Sequence, residues 1–334
     1  MTLGIVMLIT AVVAFLVTSL LGVFLVPYLK KLKYGQTIKE IGPTWHQQKQ
    51  GTPTMGGIMF VVGLLAAVTV GLLTLFILED FNVVKVQFIR VFAGCAMALA
   101  YGMMGFVDDY IKVVKKRNLG LRAREKLLIQ FLISIGYLYV LEVSGGVSTL
   151  VDIPFLGQFD LGWFYYPLMM FIIIGTTNAV NLTDGVDGLA GSVTFIVSVG
   201  FLAIAAKLQF SYVSILAVAL AASCLGFLVW NLHPAKVFMG DTGSMFLGGI
   251  VTALAFCIDM PVLLVIIGFI YFAEALSVIL QVISFKTTGK RIFKMSPIHH
   301  HFEMCGWSEM KIVIVFSLVS AVCGVLAYFA VPLV

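Results

Sequence analysis

SYVSILAVALAASCLGFLVW (residues 211–230), NLHPAKVFMGDTG (231–243) and SMFLGGIVTALAFCI (244–258) are three consecutive stretches of the sequence. Two apolar runs therefore flank a short polar turn, which is the pattern of two membrane spans joined by a loop. Asp241 lies between Gly240 and Gly243, so the backbone there is free to turn tightly and to approach a ligand closely. A carboxylate on a glycine-rich turn, with Lys236 nearby, suits a hard cation together with a phosphate. Ionisable residues at such a boundary are costly and usually functional.

The composition of the whole chain excludes a soluble domain. Its 334 residues are 61% hydrophobic and only 11% charged, and the mean hydropathy is +1.08. A soluble domain carries about 25% charged residues. The first apolar run, residues 3–28, has no basic segment before it and is longer than the core of a signal peptide, so we expect it to remain as a span.

Apolar runs recur along the chain at lengths suited to crossing a bilayer, which takes about 20 residues. Ten such runs lie near residues 3–28, 54–77, 87–107, 127–145, 163–180, 189–206, 211–230, 244–258, 261–285 and 311–332. They predict an all-α polytopic membrane protein with about ten transmembrane helices, forming a single integral membrane domain over residues 1–334. Residues 150–162 contain two short strand-like pieces around Gly157, which predict a small external β-hairpin.

Basic residues are distributed unevenly among the links between these spans. Eighteen of the 21 Lys and Arg residues fall in odd-numbered links, whereas only Lys85, Arg90 and Lys207 fall in even-numbered ones. Because cytoplasmic loops carry the excess of basic residues, the odd links are predicted to be cytoplasmic and both termini to lie outside. The polar motifs are also in the odd links, so an active site is expected at the cytoplasmic face.

Two acids and three basic or hydroxyl residues stand out before the middle of the chain. Lys49 and Thr54 belong to a glycine-rich segment before a span, which suits an anion at a helix N-terminus, although helix capping by Thr54 is the alternative.

Asp108 and Asp109 end the third span, and adjacent acids there are costly without a cation or a shared proton. On a helix they point about 100° apart, so one can face a site while the other supports it. Lys112 shares a face with Asp108, and a solvated ion pair is the alternative.

Lys126 opens the fourth span at a place where it can meet a phosphate, or else it serves as a membrane anchor. Further along, polar groups recur every three residues at Asn178, Asn181, Asp184 and Asp187. The Asp-Gly pair at 184–185 indicates that the helix stops and that the loop folds these groups toward one pocket. Capping of the flanking helices is the alternative, and it accounts for two of the four groups more readily than for all of them.

Three consecutive histidines, His299 to His301, lie in the last cytoplasmic link. In an extended segment His299 and His301 would point one way and His300 the other. After a run of basic residues they suit contact with a diphosphate or a nucleotide, and their spacing makes a zinc site a weak alternative. Within the ninth span, Gln281 is expected to reach a ligand, and the deeper Glu274 to be protonated or paired inside the bundle.

Taken together, these loops carry carboxylate, amide, lysine and histidine groups, and no Walker or GxSxG motif. This set suits phosphoryl or diphosphate chemistry with Mg²⁺, in which acids hold the metal and lysines neutralise developing charge. Because the site adjoins membrane spans, the second reactant is expected to be a lipid.

The motifs resemble those of the polyprenyl-phosphate N-acetylhexosamine-1-phosphate transferases over nearly the whole chain. The matching segments are GTPTMGG (51–57), DD (108–109), NLTDGVDGL (181–189), FMGDTGS (238–244) and PIHHHFE (297–303). The last of these resembles the branch that uses UDP-N-acetylmuramoyl-pentapeptide rather than UDP-N-acetylglucosamine. The resemblance implies transfer of phospho-N-acetylmuramoyl-pentapeptide to undecaprenyl phosphate in a bacterial plasma membrane, with release of UMP. It also implies membrane lipid and a second copy of the chain as partners, in a homodimer, and no nucleic acid.

The resemblance also implies a role for each matching residue. Asp241 is expected to bind Mg²⁺, Asp108 to act as the base on the lipid phosphate, and Asp109 to position or bind the metal. Lys112, Lys126, His299 and His301 are expected near the phosphates. The nucleotide-side contacts implied are Lys49, Thr54, Asn181, Asp184, Asp187, Asn231, Phe238, Gln281 and His300, with Phe238 stacked on uracil.

Two alternatives to this function remain at the level of sequence. One is a sister transferase that uses UDP-N-acetylglucosamine, and the other is a secondary transporter of a phosphorylated solute. Transporters place charged groups near the middle of the bilayer, whereas here only Glu274 lies deep in a span. The mechanism is also open between a single displacement, which we favour, and a route through a phosphorylated carboxylate.

Overall fold

A computed structural model describes residues 2–32, 49, 51–78, 81–113, 120–145, 148–153 and 155–332. The basic residues predicted for the cytoplasmic links within 33–48 and 114–119 lie outside this range. Twelve α-helices occur in the described residues: α1 Leu3–Lys31, α2 Ile58–Leu78, α3 Phe81–Val113, α4 Ala123–Gly145, α5 Tyr165–Thr183, α6 Leu189–Lys207, α7 Ser211–Asn231, α8 Gly240–Cys257, α9 Leu264–Ile267, α10 Phe269–Thr288, α11 Ile298–Met304 and α12 Glu309–Ala330.

Ten of these helices, α1 to α8 with α10 and α12, are long and apolar enough to cross a membrane. They correspond one to one with the ten predicted spans, so the prediction of an all-α, multi-pass membrane protein is confirmed for the described residues. Most of them keep an exposed apolar side, as membrane helices that face lipid do.

Helix α8 is the exception, because every residue from Thr242 to Cys257 is buried. It packs most extensively against α3 and also contacts α5, α6, α7 and α2. Small residues permit this close packing: a Cβ on Gly249 would lie 2.6 Å from Ala98 Cα. The enclosed position of α8 brings its polar first turn to the centre of one end of the bundle.

The β-hairpin predicted between the fourth and fifth spans is confirmed. Strands β1 Leu150–Ile153 and β2 Gly157–Asp160 pair antiparallel, with Leu150 opposite Asp160 and Ile153 opposite Gly157. The hairpin lies at the end of the bundle where α4 ends and α5 begins, opposite the end where α8 begins.

The ninth predicted span, residues 261–285, is not one continuous helix. A 3₁₀ turn, Pro261–Leu263, leads into the single-turn α9, and Gly268 separates α9 from α10. Gly268 donates its N–H to Leu264 O, and a Cβ at this position would lie 2.8 Å from that oxygen. The break therefore depends on a glycine, which the hydropathy of the run does not reveal.

The packing of α8 predicts a position-dependent response to added methyl groups. Gly249→Ala should destabilise the protein by about 1–3 kcal/mol, because the new Cβ overlaps α3. Gly136→Ala on α4 is the matched control, since a Cβ there meets open space and removes a flexible glycine. Unfolding in mixed detergent micelles measures both, and equal stability of the two variants would contradict this packing.

Candidate active site

Asp109 links the end of α3 to the start of α8 by hydrogen bonds. Its Oδ1 accepts the N–H of Asp241 (3.2 Å), and its Oδ2 accepts the N–H (2.9 Å) and the hydroxyl (2.7 Å) of Thr242. The first N–H groups of a helix have no partner within the helix, and its dipole favours a negative charge there. Asp109 therefore supplies from another helix the cap that fixes the turn carrying Asp241.

Asp108, its neighbour on α3, points instead toward two lysines that it shares with Asp241. Lys112 Nζ lies 2.6 Å from Asp108 Oδ2 and 2.8 Å from Asp241 Oδ2. Lys126 Nζ lies 2.9 Å from Asp108 Oδ2 and 3.3 Å from Asp241 Oδ2. Asp108 Oδ1 also accepts the N–H of Leu121 (2.7 Å). Residues from α3, α4 and α8 thus converge on one point, and the two acids divide between site and support.

Asn181, in the last turn of α5, holds the other oxygen of Asp241. Its Nδ2 lies 3.0 Å from Asp241 Oδ1 and 2.7 Å from Ser244 Oγ. The helix ends two residues later at Thr183, as the Asp-Gly pair predicts. Both carboxylate oxygens of Asp241 are therefore oriented by neighbouring side chains.

Asp184 lies just beyond the end of α5, close to the same carboxylates. Burial, together with the negative charges of Asp241, Asp109 and Asp187, raises the pKa of Asp184 well above its usual value. The environment therefore favours the neutral form of this carboxyl unless a positive charge is added nearby.

The residues just described form what we call the acidic cluster: Asp108, Asp109, Asp184, Asp241, Lys112 and Lys126. Four carboxylates against two lysines leave two negative charges uncompensated when all four are ionised. Carboxylate oxygens are the ligands that Mg²⁺ prefers, and a divalent cation would balance this excess. The donor set of the acidic cluster therefore fits the predicted cation.

The segment before α2 runs beside the turn that begins α8. Gly56 donates its N–H to Phe238 O (2.8 Å), and Phe238 donates its N–H to Pro53 O (2.8 Å). A Cβ on Gly240 would lie 2.8 Å from the hydroxyl oxygen of buried Thr54, and Gly240 has a φ of 75°, which glycine adopts readily. The predicted binding residues Thr54 and Phe238 are thus held next to the acidic cluster.

A second group, the Lys49 cluster, consists of Lys49, Asp187, His233 and Glu309. Lys49 Nζ lies 2.7 Å from Asp187 Oδ1 and 2.6 Å from Glu309 Oε2, and His233 Nδ1 lies 3.2 Å from Asp187 Oδ2. One ligand atom from each of the two acids and the histidine falls within 4.8 Å of the others, a spacing that suits a metal ion. In this arrangement the ammonium group of Lys49 already supplies a positive charge to both acids.

Asn231 and Gln281 use their side-chain amides to hold loop backbones. Asn231 Oδ1 accepts the N–H of Gly188 (3.1 Å), and its Nδ2 donates to Val237 O (2.9 Å). Gln281 donates to Phe293 O (2.9 Å) and accepts the N–H groups of residues 292 and 293. Asn231 thereby joins the two loops that border the acidic cluster, whereas the described contacts of Gln281 lie in the loop after α10.

The three histidines do not lie in an extended segment. Residues 298–304 form the short helix α11, in which His300 Nδ1 lies 2.6 Å from Glu303 Oε2. An i,i+3 pair of this kind stabilises the helix. Pro297, whose backbone is extended, is the residue just before the helix. The alternation of side chains expected of a strand therefore does not occur.

The histidines instead point in different directions. His299 is completely buried beside Glu274, and His301 Nδ1 accepts the N–H of Lys294 (3.1 Å) in the loop that precedes α11. Glu274, which the sequence predicts to be protonated or paired, lies with its Oε1 3.0 Å from His299 Nδ1. The shared direction that an extended segment would give His299 and His301 does not occur.

Sequence reasoning missed Glu309, the first residue of α12. Its carboxylate contacts Lys49 and also accepts the N–H of Asp187 (3.2 Å). The sequence feature that could have identified Glu309 is an acid at the start of a span, in a link otherwise rich in basic residues. This feature is weak by itself, because acids often occupy the first turn of a helix, where they stabilise the helix dipole.

The chain is similar to known transferases over nearly its whole length. Residues 89–259 match glycosyl transferase family 4, and residues 49–61 match phospho-N-acetylmuramoyl-pentapeptide-transferase signature 1. Proteins named phospho-N-acetylmuramoyl-pentapeptide-transferase are 47% identical in Bacillus subtilis and 48% identical in Bacillus licheniformis, each over 96% of this chain and 97% of the relative. A protein of that name from Bacillus mycoides is 47% identical over 97% of both chains.

The cap that Asp109 provides predicts a stability loss that does not depend on catalysis. Asp109→Asn should cost about 1.5–3 kcal/mol, because it removes a charged acceptor from three donors at the start of α8. Thr242→Val removes one of those donors and should cost about 1 kcal/mol. Unfolding in mixed micelles gives both values, and an Asp109→Asn variant as stable as the parent would refute the capping role.

Proposed function

We propose that this chain, which belongs to the phospho-N-acetylmuramoyl-pentapeptide-transferase family, transfers phospho-N-acetylmuramoyl-pentapeptide from its UDP carrier to undecaprenyl phosphate. The products are UMP and the lipid-linked diphosphate sugar known as lipid I. The observation that carries the proposal is the convergence of the acidic cluster and its two lysines at one end of a membrane bundle. A phosphorylated lipid and a sugar nucleotide both bring anionic groups that such lysines neutralise.

In the proposed reaction an oxygen of the lipid phosphate attacks the phosphorus that carries the sugar. A new P–O bond forms, the bond from that phosphorus to the oxygen bridging the nucleotide breaks, and UMP leaves with the bond's electron pair. Asp108 is the group we assign to accept a proton from the lipid phosphate, since its Oδ2 lies next to the two lysines to which we assign the reacting phosphates. The lysines hold the reacting phosphates in line and balance the charge that develops on them.

Mg²⁺ is the cation that we assign to the acidic cluster, with Asp241 as its principal ligand and Asp109 in support. When bound, it would supply positive charge to the diphosphate and polarise its oxygens. Asp109 fixes the turn that presents Asp241, and Asn181 orients the Asp241 carboxylate. Asp184 ionises more readily once a positive charge is placed beside it.

The nucleotide is assigned to the region that extends from the acidic cluster toward the Lys49 cluster. Asp184 and Asp187 occupy one turn and so connect the two clusters. Lys49 offers a positive charge to the nucleotide, Asp187 and Asn231 hold the loops around it, and the half-buried ring of Phe238 is available to stack on the uracil. His299, His300 and His301 are assigned to the phosphates and the nucleotide from the side of α11.

The site is assigned to the cytoplasmic face of a bacterial plasma membrane, with both termini outside. The support for this orientation is the distribution of basic residues, which favours the loops at the end of the bundle that carries the acidic cluster. An even number of spans returns the chain to the side where it began. A homodimer remains part of the proposal through the family resemblance.

The transfer assay uses purified protein in detergent with Mg²⁺, undecaprenyl phosphate and radiolabelled UDP-N-acetylmuramoyl-pentapeptide. Label should move into the lipid extract with release of one UMP per transfer. A parallel reaction with UDP-N-acetylglucosamine distinguishes the sister transferase, which would label lipid from that donor instead. Uptake of labelled solute into vesicles without labelled lipid would favour the transporter.

Asp241→Ala should reduce transfer by at least about 1,000-fold, because the variant loses the carboxylate that both lysines and Asn181 orient. Asp152→Ala in the external hairpin is the matched control and should keep the parental rate. Thermal unfolding verifies that both variants fold. Transfer at the parental rate by Asp241→Ala would defeat the assignment.

A single displacement predicts that no phosphorylated protein accumulates when the sugar nucleotide is supplied without the lipid. Incubation with the nucleotide labelled in the phosphate attached to the sugar, followed by acid quenching and mass spectrometry, tests this prediction. Asp108 and Asp109 are the carboxylates to inspect. A phosphorylated peptide that contains either residue and disappears when lipid is added would establish the two-step route.

A further inference from the structure

Glu274 and His299 form a buried polar contact between α10 and α11. Glu274 is on α10 and His299 is on α11, and neither residue is exposed to solvent. His299 Nδ1 lies 3.0 Å from Glu274 Oε1, and the N–H of His299 lies 3.4 Å from Glu274 Oε2. Burying a carboxyl group and an imidazole costs free energy, so we expect this contact to serve a function.

The opposite edge of the His299 ring lies against the turn that follows α5. A Cβ placed on Gly185 would lie only 2.2 Å from His299 Nε2, so the ring fills the space that this glycine leaves beside Asp184. Within the described residues, neither ring nitrogen of His299 has a hydrogen-bond partner although both are buried, so the 3.0 Å approach of Nδ1 to Glu274 Oε1 is an electrostatic contact and Nε2 has no partner at all. Buried polar atoms nearly always have a partner. His299 therefore holds an unused nitrogen at the edge of the acidic cluster.

We infer that Glu274 is a positioning residue for the transfer reaction, which holds the His299 ring so that Nε2 supports the Asp184–Gly185 turn beside the diphosphate of the bound nucleotide. The inference rests on the proposed function, because the diphosphate is the substrate of that reaction. A carboxylate next to one ring nitrogen selects which nitrogen carries the proton and fixes the ring's orientation. Glu274 acts through His299 and does not itself reach substrate.

A purely structural role for Glu274 is the competing explanation, and α10 offers a control for it. Three residues earlier, Tyr271 shares a hydrogen bond of 2.7 Å with Thr194, and both residues are fully buried. Tyr271→Phe removes a buried polar contact from the same helix at a place away from the acidic cluster. It separates a general effect on α10 from an effect that passes through His299.

The test compares Glu274→Gln, Glu274→Ala, Tyr271→Phe and His299→Asn, together with the Glu274→Gln/His299→Asn double variant, in the lipid-transfer assay. Glu274→Ala should lower kcat by about 10- to 100-fold, the range usual for loss of a supporting contact, and should change the KM for the sugar nucleotide by less than about threefold. Glu274→Gln, which keeps a hydrogen-bond acceptor, should lose less. Tyr271→Phe should keep the parental kcat.

The double variant decides between positioning and structure. If Glu274 acts through His299, adding Glu274→Gln to His299→Asn should lower kcat by less than about twofold. An equal loss from Glu274→Gln in both backgrounds, or a parental kcat in Glu274→Gln and Glu274→Ala, would overturn the inference. Failure of the unmodified protein to transfer sugar phosphate to lipid would instead defeat the proposed function.

A spectroscopic measurement covers the case in which Glu274→Ala does not fold or the double variant is too slow to assay. Nitrogen-15 labelling of histidine gives signals whose shifts report which ring nitrogen is protonated, and His299→Asn identifies the His299 signals by their loss. Glu274→Gln should shift the Nδ1 and Nε2 signals of His299 and leave those of His233 in place. Unchanged His299 signals in Glu274→Gln would overturn the inference.

Discussion

The rest of the structure depends on the excess of negative charge around the first turn of α8. Four carboxylates meet two lysines there, at the start of a helix whose residues from Thr242 onward are all buried in the bundle. Such a concentration is tolerated only when a cation, a proton or a helix dipole compensates it. The chain uses all three kinds of compensation: the lysines, the raised pKa of Asp184, and the N–H groups of α8 that face Asp109.

The fold supplies the rigid frame that this charge arrangement requires. Because α8 is enclosed by five other helices, its first turn cannot move away from α3 without repacking the bundle. The carboxylate of Asp109 and the close backbone approach at Gly240 then set the direction of Asp241. In the Lys49 cluster a carboxylate again restrains a loop, since Glu309 links the last helix to the turn that carries Asp187.

The sequence predicts the spans and the hairpin because hydropathy and turn residues are local signals. It also indicates which loops carry chemistry, since acids beside apolar spans are conspicuous. It does not reveal the break at Gly268, because a single glycine does not interrupt the apolar run, or the helix at residues 298–304, because seven residues are too few to show a helical period. The partners of Glu274 and Glu309 became visible only in the folded chain, where residues 25 and 260 positions away meet them.

The central claim is that the acidic cluster, and not the Lys49 cluster, holds the divalent cation. Titration of the protein with Mn²⁺, followed by electron paramagnetic resonance and with Mg²⁺ as competitor, measures this directly. The account predicts one Mn²⁺ site per chain that Mg²⁺ displaces, that Asp241→Ala abolishes, and that Asp187→Ala preserves. A site that survives Asp241→Ala and disappears in Asp187→Ala would contradict it.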